Sequence, residues 1–160
     1  MISEGAVMQL KQSDIFKNLS TGILNQIMNT GDRIGFSQGR FVYHKGDRAD
    51  FLYTLIEGEV RLRIGDEGTE VFTIGGLGEI FGWSSLIGKE RHTLSAVCVK
   101  QTTVLKMDKR QLLSLIEADP DCSVTFYKQL AKALGNRLLQ VYDTVAECKG
   151  ESTAPSTPSK

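Results

Sequence analysis

The sequence predicts a mainly β protein with flanking helices, built as a meander or jelly roll. Sixteen glycines against three prolines indicate many tight turns. From Arg33 to Asp108, short β-branched and aromatic runs alternate with glycine turns, whereas the residues on both sides have helical spacing. We expect one domain over residues 1–149, with the β-roll at about 33–108 and C-terminal helices at about 109–149.

The N-terminal segment "SDIFKNLSTGILNQIMNTG" predicts two short helices that cover one end of the β-roll. The turn-like "NLSTG" separates them, and Ser20 is the expected N-cap of the second helix. The helical spacing is carried by Ile15, Phe16, Leu19, Leu24, Ile27 and Met28.

The run "EVRLRIG" predicts a strand with one buried and one solvated face. Val60, Leu62 and Ile64 alternate with two arginines, which is the period of a half-buried strand. The glycine-containing segments 57–58 and 65–68 are the expected hairpin turns.

After the β-roll the pattern becomes helical, and Pro120 predicts a break between a shorter and a longer helix. Apolar residues of the longer helix follow each other at alternating steps of four and three, the a/d spacing of a coiled coil. This heptad seam predicts a two-fold homodimer, and the alternative is a helix packed on its own β-roll. The seam consists of Tyr127, Ala131, Leu134, Leu138, Val141 and Val145, with Cys148 as the next step. The final residues, 150–160, are rich in Ser, Thr and Pro and are expected to be a disordered tail.

Composition argues against several classes of function. Nineteen basic and nineteen acidic side chains cancel, so no global field favours DNA, and no apolar run is long enough for a membrane span. The N-terminus lacks the features of a signal peptide, so we expect a cytoplasmic protein. The three cysteines are widely spaced and there are only two histidines, so we expect no metal site. The sequence also lacks a neighbouring nucleophile and base, so we do not expect an enzyme.

Short helices, the segments "YHKGDRADFLYTLIEGEVRLRI" and "GEIFGWSSLI", and a long closing helix together resemble a known family. The chain resembles the cyclic-nucleotide-binding domain of the catabolite activator (Crp/Fnr-like) family of bacterial regulators over about residues 14–146. The most specific matches are "KGD" at 45–47, "LIEGEV" at 55–60 and "GEIFG" at 78–82. The resemblance implies a double-stranded β-helix (jelly roll) with N-terminal helices and a long C-terminal dimerisation helix.

The resemblance also implies a ligand site inside the β-roll. In the family, backbone amides and an arginine after Gly82 hold the cyclic phosphate, and a glutamate holds the ribose hydroxyl. Here the glutamate position falls on Trp83, and the arginine position falls on His92 with Arg91 one residue earlier. Thr93 lies where the family often places a hydroxyl on the phosphate.

Four further residues are candidates, each with a structural alternative. Ser84 and Ser85 would add donors to the phosphate or cap a helix. Tyr142 would stack on the base and Asp143 would accept from its amino group, or both would face solvent beside the seam. Trp83 would be either core or a ligand platform.

These residues predict a stand-alone regulatory ligand-sensing module with altered or lost cyclic nucleotide affinity, acting through dimerisation or a protein partner. A helix-turn-helix domain would need about 50 to 70 further residues, so no DNA binding is expected. Three states of the pocket remain open: binding of cAMP or cGMP, binding of another small anion, or filling by its own side chains. The alternative functions are a ligand-free scaffold and a jelly-roll enzyme.

Overall fold

The computed structural model describes residues 4–150 and contains four helices and eight strands in that range. The helices are α1 Glu4–Lys11, α2 Thr21–Thr30, α3 Lys109–Glu117 and α4 Pro120–Cys148. The strands are β1 Asp32–Phe36, β2 Phe41–Tyr43, β3 Phe51–Glu57, β4 Val60–Arg63, β5 Glu70–Ile74, β6 Ile80–Phe81, β7 Ser95–Cys98 and β8 Thr102–Asp108. A short 3-10 helix, Trp83–Ile87, follows β6.

The strands form two antiparallel four-stranded sheets. One sheet has the order β1-β8-β3-β6 and the other has the order β2-β7-β4-β5. Neighbouring strands are mostly distant in sequence, so the chain passes from one sheet to the other and back, as in a jelly roll. The predicted fold class is therefore confirmed, and the helices that precede and follow the β-roll in sequence pack together in one cluster.

The core has two parts. One lies inside the β-roll, where Tyr43, Tyr53 and Phe81 meet aliphatic side chains of both sheets. The other joins the helices to the outside of the roll, and Phe16 and Phe126 stack there with ring centroids 6.1 Å apart. Burial of these large apolar surfaces provides the main free energy that holds the helices on the roll.

Strand β4 follows the predicted alternation with one exception. Val60 and Leu62 are buried and the two arginines are half-buried, as the period of two requires. The expected burial of Ile64 is wrong, because its side chain is 52% exposed. The strand ends at Arg63 and the chain then turns at Gly65, so Ile64 leaves the sheet before it reaches the core.

The N-terminal segment differs from the sequence expectation in two respects. Ser20 does cap α2, accepting a hydrogen bond from the Ile23 amide. The expected helix over Ile15 to Leu19 is wrong, because the chain forms turns there and Asn18 has a φ of 67°. In addition, α1 was not predicted from the sequence.

Helix α4 packs on the β-roll and on the N-terminal turns along one face. Pro120 lies in its first turn behind the N-cap Asp119, which confirms the predicted break. The buried face consists of Cys122, Phe126, Gln129, Leu130, Ala133 and Arg137, none of which belongs to the heptad seam. Most of the predicted tail, residues 151–160, lies outside the described residues.

Candidate ligand site of the β-roll

The segment after β6 has the sharp turn that the glycine pattern predicts. Gly82 has a φ of 76°, and a Cβ at this position would lie 2.9 Å from a ring carbon of Tyr53. The chain then enters the 3-10 helix with Gly82 as N-cap and no side-chain capping bond. The capping alternative for the serines is therefore wrong: Ser84 and Ser85 are both buried, and Ser85 Oγ donates to the Gly82 carbonyl over 3.0 Å.

His92 is packed against Tyr43 in the centre of this site. Their ring centroids lie 3.6 Å apart with an interplanar angle of 14°, and His92 is only 4% exposed. The Tyr43 ring also stacks on Tyr53 and on Phe81, at 5.6 and 6.2 Å. An aromatic column therefore occupies the interior of the roll beside the Gly82 turn.

Burial in this aromatic column shifts the pKa values of its histidine and its two tyrosines. Burial lowers the pKa of His92 to about 4, although the Asp47 and Asp50 carboxylates act in the opposite direction. Burial raises the pKa of Tyr53 to about 12 and also raises the pKa of Tyr43. His92 is consequently neutral at pH 7 and offers no positive charge to a phosphate group.

The cavity left beside this column has a volume of about 20 Å³. Small-molecule sites in proteins usually measure about 300 to 1,000 Å³, and about 20 Å³ is close to the space of one water molecule. Five of the predicted site residues are brought together around it. The cavity is lined by Gly82, Trp83, Ser84, His92 and Thr93, together with Tyr43, Leu62, Phe72 and Leu94.

The remaining candidates lie elsewhere. Arg91 is exposed, and its Nη1 donates to the Gly46 carbonyl over 2.8 Å instead of lining the cavity. Tyr142 and Asp143 are exposed on α4 and do not line the cavity either. Trp83 is half-buried and also packs against the helix-side core, so it contacts both environments. The ligand roles of all these residues remain predictions.

Two residues of the site region were missed in the sequence. Tyr43 had a signal, because it ends a short β-branched and aromatic run that only His44 separates from "KGD". Arg137 also had one, since it continues the Cys122, Phe126 and Leu130 face of α4 at helical spacing. Its Nη2 donates to the carbonyl of Ile80, which ties α4 to the strand that leads into the site.

The two-sheet roll with a glycine turn, a short 3-10 helix and a long closing helix defines a jelly-roll domain. The sequence model of the cyclic nucleotide-binding domain matches residues 33–119, more than half of the chain. The chain belongs to this family.

Similar proteins include regulators that are longer than this chain. The CRP-like cAMP-activated global transcriptional regulator of Mycobacterium tuberculosis is 26% identical over 140 residues, which are 86% of this chain and 61% of that protein. The cyclic AMP receptor protein of Thermus thermophilus is 29% identical over 127 residues, 78% of this chain and 59% of that protein. The chain thus spans about three-fifths of the length of these relatives.

Solved structures show the same fold. A cyclic nucleotide-binding domain from Methylobacillus flagellatus superimposes with a TM-score of 0.75 at 19% identity, over 90% of this chain and 82% of that one. Within residues 4–150, no helix is long and apolar enough to cross a membrane. The same residues contain no group of three or more His, Cys, Asp or Glu side chains arranged to hold a metal ion.

Proposed function

We propose that this chain is a regulatory module of the cyclic-nucleotide-binding fold whose affinity for cyclic nucleotides is weakened or lost. Its signal passes through dimerisation or a protein partner. The observation that carries the proposal is the Tyr43–His92 stack at 3.6 Å, which leaves a cavity of only about 20 Å³ beside the Gly82 turn.

Three features of the site weaken the contacts that a cyclic nucleotide would need. Trp83 has no acceptor for a ribose hydroxyl, and a buried hydroxyl without its partner costs about 1 to 3 kcal/mol. His92 is neutral at pH 7, and the Arg91 guanidinium is engaged by the Gly46 carbonyl. A nucleotide would also have to separate the stacked rings before it could enter.

A thermal-shift experiment with cAMP, cGMP, AMP and GMP at about 1 mM tests this part of the proposal. We expect no stabilisation by the cyclic nucleotides beyond that of their non-cyclic counterparts. A ligand with a dissociation constant near 10 μM would add about 2.7 kcal/mol and raise the melting temperature by several degrees. Such a shift, specific to one cyclic nucleotide, would refute the loss of affinity.

The proposed dimerisation is supported by the surface of α4. On the heptad seam, Tyr127, Leu138 and Val145 are exposed large apolar side chains. Leu134, also on the seam, is half-buried and packs against the core that the helices share. Val124 is exposed too and extends the seam by one a/d step toward the N-terminus. A second copy of the chain would cover this stripe by two-fold pairing of the α4 helices. A ligand-free dimerisation scaffold is the second candidate function, favoured by the same stripe.

Cys148 provides a sharp test of this pairing. It is exposed and occupies the next position of the seam, so in a parallel in-register dimer the two Cys148 thiols would face each other. We expect mild oxidation with copper–phenanthroline to give a reducible dimer on a denaturing gel, with release of two electrons and two protons to the oxidant per disulfide formed.

Cys148→Ser is the matched variant, because it keeps the buried thiols of Cys98 and Cys122. It should remain a dimer in sedimentation experiments and should lose the cross-link. A monomer in sedimentation at micromolar concentration would refute dimerisation. A dimer without the cross-link would refute the parallel arrangement.

A further inference from the structure

A groove of about 500 Å³ runs between α2 and α3. Ile23 of α2 and Leu115 of α3 form its apolar floor, and both are half-buried and pack against the core that the helices share. Gln26, Ser114 and Ala118 are exposed and also line it. Sites for small molecules bury most of their ligand, whereas exposed walls leave this groove open. Its shape therefore suits an elongated occupant that keeps one side in solvent.

The two ends of the groove carry opposite charges. The end of α2 and the start of α3 lie together, because β1 and β8 pair there through Asp32 and Lys106. Arg110 lines the groove at this end, and Asp119 lines it about 13 Å further along α3. Within residues 4–150, the Arg110 guanidinium has no carboxylate at ion-pair distance. It is thus available to a negatively charged group of another molecule.

A cationic cleft continues the groove beyond Arg110. This cleft measures about 240 Å³ and is lined by Arg48 and Lys109, with Arg110 lining both spaces. Two carboxylates lie in the cleft, and both are already engaged. Asp50 accepts from Arg48 Nε over 3.2 Å, and Asp108 accepts from the backbone amide that follows Lys109, over 2.8 Å, as the N-cap of α3. Three cations against two engaged carboxylates make this end of the groove favourable for an acidic group.

We propose that the groove is a docking site for an amphipathic helix of a partner protein, with an acidic first turn and a basic last turn. The apolar stripe of that helix covers Ile23 and Leu115, its acidic turn lies at Arg110, and its basic turn lies at Asp119. Helix α3 has nine residues, so a partner helix of about three turns matches the length of the groove. Acidic residues in a first turn and basic residues in a last turn also stabilise a helix through its macrodipole. The charges of the groove therefore match the charge order that stable amphipathic helices carry.

This inference rests on one part of the proposed function, the passage of the signal through a protein partner, and it names the surface and the chemistry of that partner. Its test uses neither a nucleotide nor the pairing of α4. A negative result here would leave the nucleotide and sedimentation experiments unaffected, and a negative result there would leave the groove unaffected.

The first experiment is a phage-display selection of helical peptides of about twelve residues against the unaltered chain. We expect the selected peptides to share apolar residues at steps of three and four, with glutamate or aspartate in the first turn. A two-dimensional NMR titration with the tightest peptide should give saturable amide shifts at Ile23, Ser114 and Ala118, and none at Thr93. Failure to select a binding peptide, or saturable shifts only outside the groove, would overturn the proposal.

Arg110→Glu is the deciding variant, because it reverses the charge at the acidic end of the docked helix. We expect it to weaken binding of the selected peptide about fivefold, and a peptide with lysine in place of its acidic residue should restore the affinity. Glutamate is favourable in a first turn, so α3 should stay folded. Arg40→Glu, exposed and outside the groove, is the matched control and should bind like the unaltered chain. Equal affinity of Arg110→Glu, or no rescue by the lysine peptide, would contradict the assignment.

Two further outcomes keep the test decisive. If Arg110→Glu does not fold, the lysine peptide alone decides, because it should bind the unaltered chain about fivefold more weakly than the selected peptide. The alternative occupant is a second copy of the chain. Loss of the sedimentation dimer in Arg110→Glu but not in Arg40→Glu would assign the groove to self-association and overturn docking of a partner helix.

Discussion

Replacing His92 with phenylalanine should make the folded state less sensitive to acid. The substitution keeps an aromatic ring on Tyr43 and removes the only titrating group of the stack near neutral pH. The folded His92 has a pKa of about 4, against 6.5 for an ordinary histidine. As the pH falls below 6.5, His92 binds a proton in the unfolded chain but not in the folded chain. The free energy of unfolding therefore decreases until the pH reaches about 4.

The magnitude follows from these two pKa values. Between pH 7.5 and pH 5.0, proton uptake by the unfolded His92 should reduce the free energy of unfolding by about 2 kcal/mol. The His92→Phe variant lacks this contribution, whereas every other titrating group, including His44 beside Asp66, is present in both proteins. The difference between the two pH dependences therefore isolates His92.

Urea denaturation of both proteins at pH 7.5, 6.0 and 5.0 measures this difference. We expect the free energy of unfolding of the unaltered chain to fall by about 2 kcal/mol more than that of His92→Phe over this range. Parallel pH dependences would show that His92 is solvated in the folded state. That result would refute the buried Tyr43–His92 stack.

Five further substitutions test other parts of the structure. Leu138→Asp, on the heptad seam, should raise the dimer dissociation constant about ten- to a hundredfold in sedimentation. Each Leu138 is 51% exposed in one chain, so pairing would gain about 1.5 to 3 kcal/mol from the remaining surface of two leucines. Leu139→Asp, 58% exposed and off the seam, should leave the dissociation constant unchanged. Gln129→Leu should lower the urea-derived stability by about 2 kcal/mol, since the buried Nε2 donates to two carbonyls of the N-terminal turns. Gly58→Ala should lower the free energy of unfolding by about 2 kcal/mol, because the φ of Gly58 is 103°. Gly135→Ala, which has open space around it in α4, should raise that free energy by about 1 kcal/mol in the same assay.

Local sequence patterns were sufficient for most of the fold. The alternation of Val60 and Leu62 and the break at Pro120 predicted their elements because each depends on neighbouring residues alone. The same reasoning failed at Ile64, where a turn ends the strand before the hydrophobic pattern ends. It also missed α1, which has eight residues and covers the end of the roll through contacts with α2.

The candidate site could be predicted only in part. The turn at Gly82 is encoded by the local "GEIFG" pattern, but the packing of His92 on Tyr43 joins two distant segments. Backbone hydrogen bonds between His92 and the Gly46–Asp47 turn bring those segments together, and no local pattern specifies them. The burial of Arg137 likewise depends on how α4 docks on β6.

We infer that the aromatic column of Tyr43, His92, Tyr53 and Phe81 fills the place where the family holds its nucleotide. Isothermal titration calorimetry of the unaltered chain with cAMP and with cGMP, each to about 1 mM at pH 7.5, tests this claim most directly. We expect no saturable heat with either nucleotide, because a cavity of about 20 Å³ between Tyr43, Gly82 and His92 admits neither. Saturable one-site binding with a dissociation constant of about 10 μM or tighter would contradict the claim and show that the stack opens for the ligand.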